Sequence, residues 1–163
     1  MKQTAITKPQ IKLVGMCVRT SNQQEFNTTK PRISPLVQRY FHEQIFKKIP
    51  HRLHPGTTLC AYTDYESDYH GPYTYFIGEE VASFDTPLPQ GLQTLIIPGQ
   101  QYMKFTTNPA PMPDVIIQTW QQVWNMSPEQ LGGTRRYHTD FELYDERAHD
   151  HHNVVCDLYI GIN

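Results

Sequence analysis

Hydrophobic and polar residues alternate in some parts of the chain and follow helical spacing in others. Residues 11–20 alternate and are rich in branched side chains, which predicts a strand. Ser34-Pro35 is typical of a helix N-cap followed by proline, and apolar residues then recur at helical spacing as far as Ile49-Pro50. The pattern predicts an amphipathic helix over residues 34–49.

Two strands are predicted behind this helix, over residues 57–65 and 73–84, and the polar turn at 66–72 makes them a hairpin. A short linker rich in proline and glycine follows at 87–91. The same order then repeats. The predicted elements of the second half are a strand-like run over 92–105 with a break at Pro98-Gly99, a helix over 113–126, and strands over 137–144 and 154–160.

Each half of the sequence, about 9–86 and 91–163, is therefore predicted to be strand, helix, strand, strand. One such unit cannot bury both its sheet face and its helix, so the halves are expected to pack together. The predicted fold class is α+β: tandem βαββ repeats with pseudo-twofold symmetry, an antiparallel sheet with two helices, and a single domain over 1–163. A central cleft between the repeats is a favoured place for a small ligand.

Composition narrows the class of protein. The 163 residues, 38% hydrophobic and 18% charged, are typical of one globular domain. A net charge of −2 argues against a general nucleic-acid binder. No run approaches the length of a membrane span and no signal-peptide core follows the start, so a cytoplasmic location is expected. The three cysteines, at 17, 60 and 156, are interpreted as small buried hydrophobes.

The aromatic supply is large, with ten tyrosines, seven phenylalanines and two tryptophans. Trp120 and Trp124 lie four positions apart and therefore share one face of the second helix, either in the core or on the cleft. Tyr62, Tyr73 and Tyr75 occupy alternate hairpin positions, where cross-strand pairing would account for them without a ligand.

Glu142 belongs to a strand in which successive side chains point to opposite faces. Phe141 and Leu143 then share one face, and Glu142 shares the other with Asp140 and Tyr144. If the apolar pair faces the helices, Glu142 faces solvent or the cleft. From the residues alone, a solvated carboxylate is the favoured interpretation, because unpaired glutamates are seldom buried.

Other polar groups carry weaker signals. The run His149-Asp150-His151-His152 contains metal-ligand types, but adjacent side chains in a loop point in different directions, so no metal and no cofactor is expected. The step Thr134-Arg135-Arg136-Tyr137 is interpreted as a strand entry with solvated charges, since no glycine-rich loop leads into a helix there. No Ser-His-Asp or Cys-His spacing is evident.

Five segments nevertheless form a specific combination. They are Tyr-Thr-Asp-Tyr-Glu-Ser-Asp at 62–68, Gly-Pro-Tyr-Thr-Tyr-Phe-Ile-Gly at 71–78, Trp-Gln-Gln-Val-Trp at 120–124, Asp-Phe-Glu-Leu-Tyr at 140–144 and Asp-Leu-Tyr-Ile-Gly-Ile at 157–162. In this order, from about Ile11 to Ile162, they resemble the gyrase-inhibitor-like effector-binding family. That module is the drug or effector sensor of several AraC-type and MerR-type bacterial transcription regulators.

The resemblance implies a central aromatic pocket and a glutamate in the penultimate strand that meets cationic lipophilic ligands. By position that glutamate is Glu142. Trp120 and Trp124 match the family's helix tryptophans, and Tyr159 matches an aromatic position in the last strand. Tyr75 and Tyr62 are the hairpin candidates for the same pocket.

The implied function is that of a stand-alone protein that senses or sequesters amphipathic cations. No DNA-binding domain is expected before the module, as in stand-alone relatives, some of which are encoded on mobile gene cassettes. Direct nucleic-acid or membrane binding is not expected, a separate regulatory protein is an open possibility, and the oligomeric state is not predicted. The less favoured alternative is a small-molecule hydrolase with Glu142 as general base.

Overall fold

The computed structural model describes residues 1–26 and 29–163. Within these ranges the strands are β1 Lys2–Lys8, β2 Ile11–Thr20, β3 Thr58–Thr63, β4 Tyr73–Glu80, β5 Gln93–Ile97, β6 Gln100–Thr106, β7 Thr139–Tyr144 and β8 Asp157–Gly161. The helices are α1 Asn22–Phe26, α2 Ile33–His42, α3 Asp114–Trp124 and α4 Pro128–Leu131, with 3₁₀ turns at Ile45–Lys48 and Glu146–Ala148. None of these helices has both the length and the apolar character that crossing a bilayer requires.

The strands form one antiparallel sheet in the order β1-β6-β8-β7-β3-β4-β2-β5. This order is symmetric about the central β7–β3 pair, with β8 and β6 on one side and β4 and β2 on the other. The two repeats are β2-α2-β3-β4 and β6-α3-β7-β8. The predicted α+β fold of tandem βαββ units is confirmed, and the break at Pro98-Gly99 separates β5 from β6.

Strand β1, which the sequence pattern did not predict, links the two repeats. It precedes the first repeat but pairs with β6 of the second, and β5 precedes the second repeat but pairs with β2 of the first. The pairs Lys8 with Gln100 and Ile11 with Ile97 belong to one continuous register. Edge strand β1 continues into β2 near the opposite edge, and edge strand β5 continues into β6 next to β1. These two connections bring the edges of the sheet toward each other, so the sheet is curled.

The two faces of the sheet have different cores. One face packs against the helices through two apolar clusters, one under α2 and one under α3. The opposite face is buried by the curl, because its residues come from strands at both ends and in the middle of the sheet. They include Leu13, Phe76, Ile97, Tyr102, Phe141 and Tyr159. Phe141 and Leu143 thus point away from the helices, and Glu142 points toward them.

The first predicted helix is shorter than expected and begins differently. α2 ends at His42, because Gln44 adopts a left-handed conformation with φ of 51° before the 3₁₀ turn. The prediction that Ser34 is the N-cap is wrong: Arg32 holds that position and its side chain makes no cap. The carboxylate of Glu25 instead accepts hydrogen bonds from the backbone N–H groups of Arg32 and Ile33 at 2.9 and 3.1 Å.

The second predicted helix is confirmed as α3. Ser127-Pro128, which was expected to follow its end, opens the short helix α4. Ser127 caps α4 in a capping box with Gln130, in which each side chain accepts from the backbone N–H of the other residue.

Candidate functional site

A cavity of about 730 Å³ lies between α2 and α3, over the central strands. The helices form its two sides, and alternate residues of β3, β4 and β7 form its floor. Alternation along each strand places all the floor residues on the helix-bearing face. A cavity of this volume is within the range of sites that take drug-sized molecules.

Glu142 lies on the floor of this cavity with its side chain almost fully buried, 3% exposed. The Tyr62 hydroxyl and the Trp120 indole N–H donate to its Oε2 at 2.6 and 2.8 Å, and the Tyr144 hydroxyl donates to its Oε1 at 2.7 Å. The ion pairs found among the described residues do not include Glu142. Its hydrogen-bond partners on the protein are therefore neutral.

The electrostatics of this group follow from its burial. Desolvation raises the pKa of Glu142, and its three hydrogen bonds act in the opposite direction. Burial and the nearby carboxylate also raise the pKa values of Tyr62 and Tyr144 well above 10.0, so both hydroxyls keep their protons and remain donors. A cation that entered the cavity would recover electrostatic energy that desolvation of Glu142 has cost.

Aromatic rings surround this carboxylate. The Tyr62 ring lies 4.8 Å from the Trp120 ring, 5.3 Å from Tyr75 and 5.4 Å from Tyr73, measured between centroids. Trp124 stacks on Tyr69 at 5.6 Å with the ring planes 6° apart. The rings around Tyr62 are inclined to it by 54° to 79°, and such a varied aromatic lining suits flat apolar molecules and cations.

The cavity is lined by Glu142, Trp120, Trp124, Tyr75 and Tyr62, all of which were proposed from the sequence. Tyr159 is not brought to it, and its placement there is corrected. In β8, Leu158 and Ile160 face the helices, so Tyr159 points to the opposite face. There its ring stacks on Phe141 at 4.4 Å and 10°.

Several other residues line the cavity without having been proposed from the sequence, notably Tyr144, Cys60, Asn22 and Glu25. Alternation could have identified Tyr144, because it lies two positions after Glu142 and therefore on the same face of the strand. The other two polar residues, Asn22 and Glu25, come from α1, a helix of five residues that is too short to show a periodic pattern.

Arg135 is a correction to the prediction of solvated charges. Its side chain is 8% exposed and forms a 2.8 Å ion pair with Asp140. The guanidinium carbon lies 4.3 Å from the Tyr137 ring centroid, and 5.5 and 5.6 Å from those of Trp120 and Tyr65. Arg135 is thus an internal cation within an aromatic cage, and its charge is balanced by Asp140.

All three cysteines are free. Cys60 and Cys156 are buried, but the prediction is wrong for Cys17, which is half-buried and donates from its thiol to the Gln93 side chain at 2.7 Å. Burial and nearby Glu142 raise the pKa of Cys60 well above its ordinary value. Cys60 is therefore a protonated thiol on the cavity floor.

The histidine-rich loop meets the cavity at one side. His149 and His151 line it, next to Asp145, whose carboxylate forms a 2.8 Å ion pair with Arg147. In the ranges 1–26 and 29–163, His, Cys, Asp and Glu side chains do not gather in any group of three that could hold a metal ion.

A curled antiparallel sheet with two helices that enclose an aromatic, carboxylate-bearing cavity defines an effector-binding protein. The chain belongs to the Cass2 family of integron-associated effector binding proteins, whose family model matches residues 5–162. The resemblance inferred from the sequence motifs is confirmed by this match.

Individual proteins of similar sequence or fold support this family assignment. YobU of Bacillus subtilis (strain 168) is 25% identical over 151 residues, which are 93% of this chain and 91% of YobU. The integron cassette protein VCH_CASS2 from the mobile metagenome of Vibrio cholerae has the same fold, with 22% identity, a TM-score of 0.76, and coverage of 99% of this chain and 95% of that one. SAV2435, solved with bound tetraphenylphosphonium, is 16% identical with a TM-score of 0.76, over 100% of this chain and 94% of that chain.

Proposed function

We propose that this chain binds amphipathic, lipophilic cations in its aromatic cavity, with Glu142 as the counter-charge, and so senses or sequesters them. The observation that carries the proposal is the burial of Glu142 on the cavity floor among neutral donors. A neutral molecule of the same shape would leave that charge uncompensated, and an anion would be repelled by it. The cavity therefore favours cations.

The rings around Glu142 add affinity without strict demands on shape. A quaternary or delocalised cation over the face of Trp120, Tyr62 or Tyr75 gains about 0.5 to 2 kcal/mol per ring. Trp124, stacked on Tyr69, extends the apolar wall toward one end of the cavity. The tetraphenylphosphonium bound to SAV2435 supports this class of ligand for the fold.

The hydrolase alternative also depends on Glu142, but the geometry supports it less well. The carboxylate has about four acceptor positions, and donors from the described part of the chain occupy three of them. Such a group is held in place as a fixed charge, which favours binding over proton transfer.

The test compares two probes of matched shape and opposite charge, tetraphenylphosphonium and tetraphenylborate, by titration followed through tryptophan fluorescence. The native chain is expected to bind the phosphonium and to discriminate against the borate. Glu142→Gln is expected to weaken phosphonium binding by about tenfold or more, which corresponds to about 1.4 kcal/mol, and to reduce the discrimination.

Glu129→Gln is the matched control, because it also removes one negative charge but from an exposed position. It should leave both affinities unchanged. Equal affinity of the native chain for the two probes, or phosphonium binding that is insensitive to Glu142→Gln, would show that Glu142 is not the counter-charge.

A further inference from the structure

A second carboxylate lines the same cavity. Glu25, in α1, is half-buried and accepts hydrogen bonds from the Thr20 hydroxyl at 2.6 Å and from the backbone N–H groups of Arg32 and Ile33. Glu25 thus lies at the N-terminus of α2, where the free backbone N–H groups and the helix dipole favour a negatively charged side chain. Its donors are neutral, and the ion pairs found within the described residues do not involve it.

The other charged groups of the cavity wall have charged partners. Arg135 is paired with Asp140. Asp145 is paired with Arg147, which also binds Asp157 outside the cavity. Two histidines, His149 and His151, also lie on the wall. Within the described residues, Glu25 and Glu142 are thus the two cavity carboxylates that have no cation of their own.

Glu25 and Glu142 are alike in one further respect. Each accepts three hydrogen bonds from residues in the described ranges, while a carboxylate offers about four acceptor positions. Each therefore keeps one position for a donor or a cation that enters the cavity.

Tyr73 lies near both carboxylates. Its hydroxyl donates at 3.0 Å to Asn22, three residues before Glu25, and its ring lies 5.4 Å from the ring of Tyr62, whose hydroxyl binds Glu142. Burial, Glu25 and Glu142 all raise the pKa of Tyr73. Both negative groups thus face one continuous space with tyrosine rings along its floor.

We propose that the cavity takes an elongated ligand with two cationic groups, one bound at Glu142 and the other at Glu25. The apolar body of the ligand would lie over the rings of Tyr62, Tyr73 and Tyr75. This inference rests on the proposed function, and it adds that a dication is preferred over a monocation of the same hydrophobicity.

The experiment uses alkane-α,ω-bis(pyridinium) ions of increasing chain length, each compared by calorimetric titration with the singly charged N-alkylpyridinium of the same chain. The native chain is expected to bind the dication at least about tenfold more tightly at one best spacer length. In Glu25→Gln this advantage should fall to about twofold or less, because the second cationic group loses its counter-charge. Glu43→Gln, an exposed carboxylate on the far end of α2, should behave like the native chain.

A second variant tests the geometry if Glu25→Gln disturbs the start of α2. Glu25→Asp keeps the carboxylate but shortens the side chain by one methylene, which moves the charge back from the cavity. The bis(pyridinium) ion that binds most tightly should then have a longer spacer. The inference is overturned if dication and monocation bind equally at every length, or if the advantage survives in Glu25→Gln. If Glu142→Gln left monocation affinity unchanged, the proposed function would be overturned instead. Failure of the dication inference and failure of the proposed function are therefore distinguishable.

Discussion

Cys60 and Glu142 lie directly opposite each other in the paired strands β3 and β7. They are the central pair of one row across six strands, in which Cys60 pairs with Ile77 and Glu142 with Leu158. Ile77 and Leu158 hold matching positions in the two repeats, so Cys60 and Glu142 do as well. The charge of Glu142 therefore lies next to the pseudo-twofold axis, and the matching position in the first repeat holds the thiol of Cys60.

The raised pKa of Glu142 predicts how stability changes with pH. In the unfolded chain Glu142 loses its proton near its ordinary pKa of 4.5, whereas in the folded chain it loses it at a higher pH. Between these two pH values the folded state therefore binds more protons than the unfolded state. The free energy of unfolding should then fall as pH rises through this window. Urea denaturation of the native chain and of Glu142→Gln over a pH series measures the difference.

The variant should lack this contribution, whereas terms from other groups, such as the raised pKa of Glu79, occur in both proteins and cancel. Affinity for tetraphenylphosphonium should rise through the same window in the native chain, because the carboxylate becomes charged. Parallel stability profiles of the two proteins would contradict the assignment of the raised pKa to Glu142.

Trp120→Phe keeps an aromatic ring but removes the N–H that donates to Glu142 at 2.8 Å. The loss of a buried hydrogen bond to a charged group is expected to lower the free energy of unfolding by about 1.5 to 3 kcal/mol. Urea denaturation measures it, and Trp124→Phe serves as the control, because Trp124 stacks on Tyr69 and is less buried. In a Glu142→Gln background, Trp120→Phe should lower the free energy of unfolding by less. Equal losses of unfolding free energy in both backgrounds would show that the hydrogen bond between Trp120 and Glu142 does not contribute.

Arg135→Met removes the partner of a fully buried carboxylate. Asp140 would keep its hydrogen bonds from Tyr65 and the backbone of Gly161 but lose its cation. The expected loss is about 3 to 5 kcal/mol of unfolding free energy.

Two comparisons by thermal or urea denaturation check this reasoning. Adding Asp140→Asn to Arg135→Met should restore part of the stability, because the buried charge is gone. Arg39→Met, which breaks the exposed pair between Arg39 and Glu43, should cost about 1 kcal/mol or less. A loss at Arg135 no larger than at Arg39 would mean that Asp140 does not depend on its partner.

Much of the fold could be predicted because it follows from local spacing. Alternation in the strand that contains Glu142 separated Phe141 and Leu143 from Glu142 and Tyr144, and the order of the elements revealed the two repeats. Strand β1 could not be predicted this way, because its residues are mostly exposed and show no alternating pattern. It forms because β6 offers a partner about a hundred residues later in the chain.

The two errors in the site have different causes. Alternation shows which residues share a face of a strand, but the face that meets the helices depends on how the whole sheet curls. Tyr159 was placed in the cavity through its match to the family's aromatic position in the last strand, and alternation alone could not show that its ring packs on Phe141 on the opposite face. Arg135 was expected in solvent because its aromatic cage includes Tyr65 and Trp120, which are distant in sequence.

The exchange of β1 and β5 between the repeats has a consequence for how the molecule could be divided. Cutting the chain within residues 87–91 would give two pieces, each with a leading strand whose partner is on the other piece. In each piece alone, the leading strand would have no strand to pair with. The two pieces together would contain every strand pairing of the intact sheet. The topology is that of two subunits joined by a covalent tether, and the ligand cavity is their shared interface.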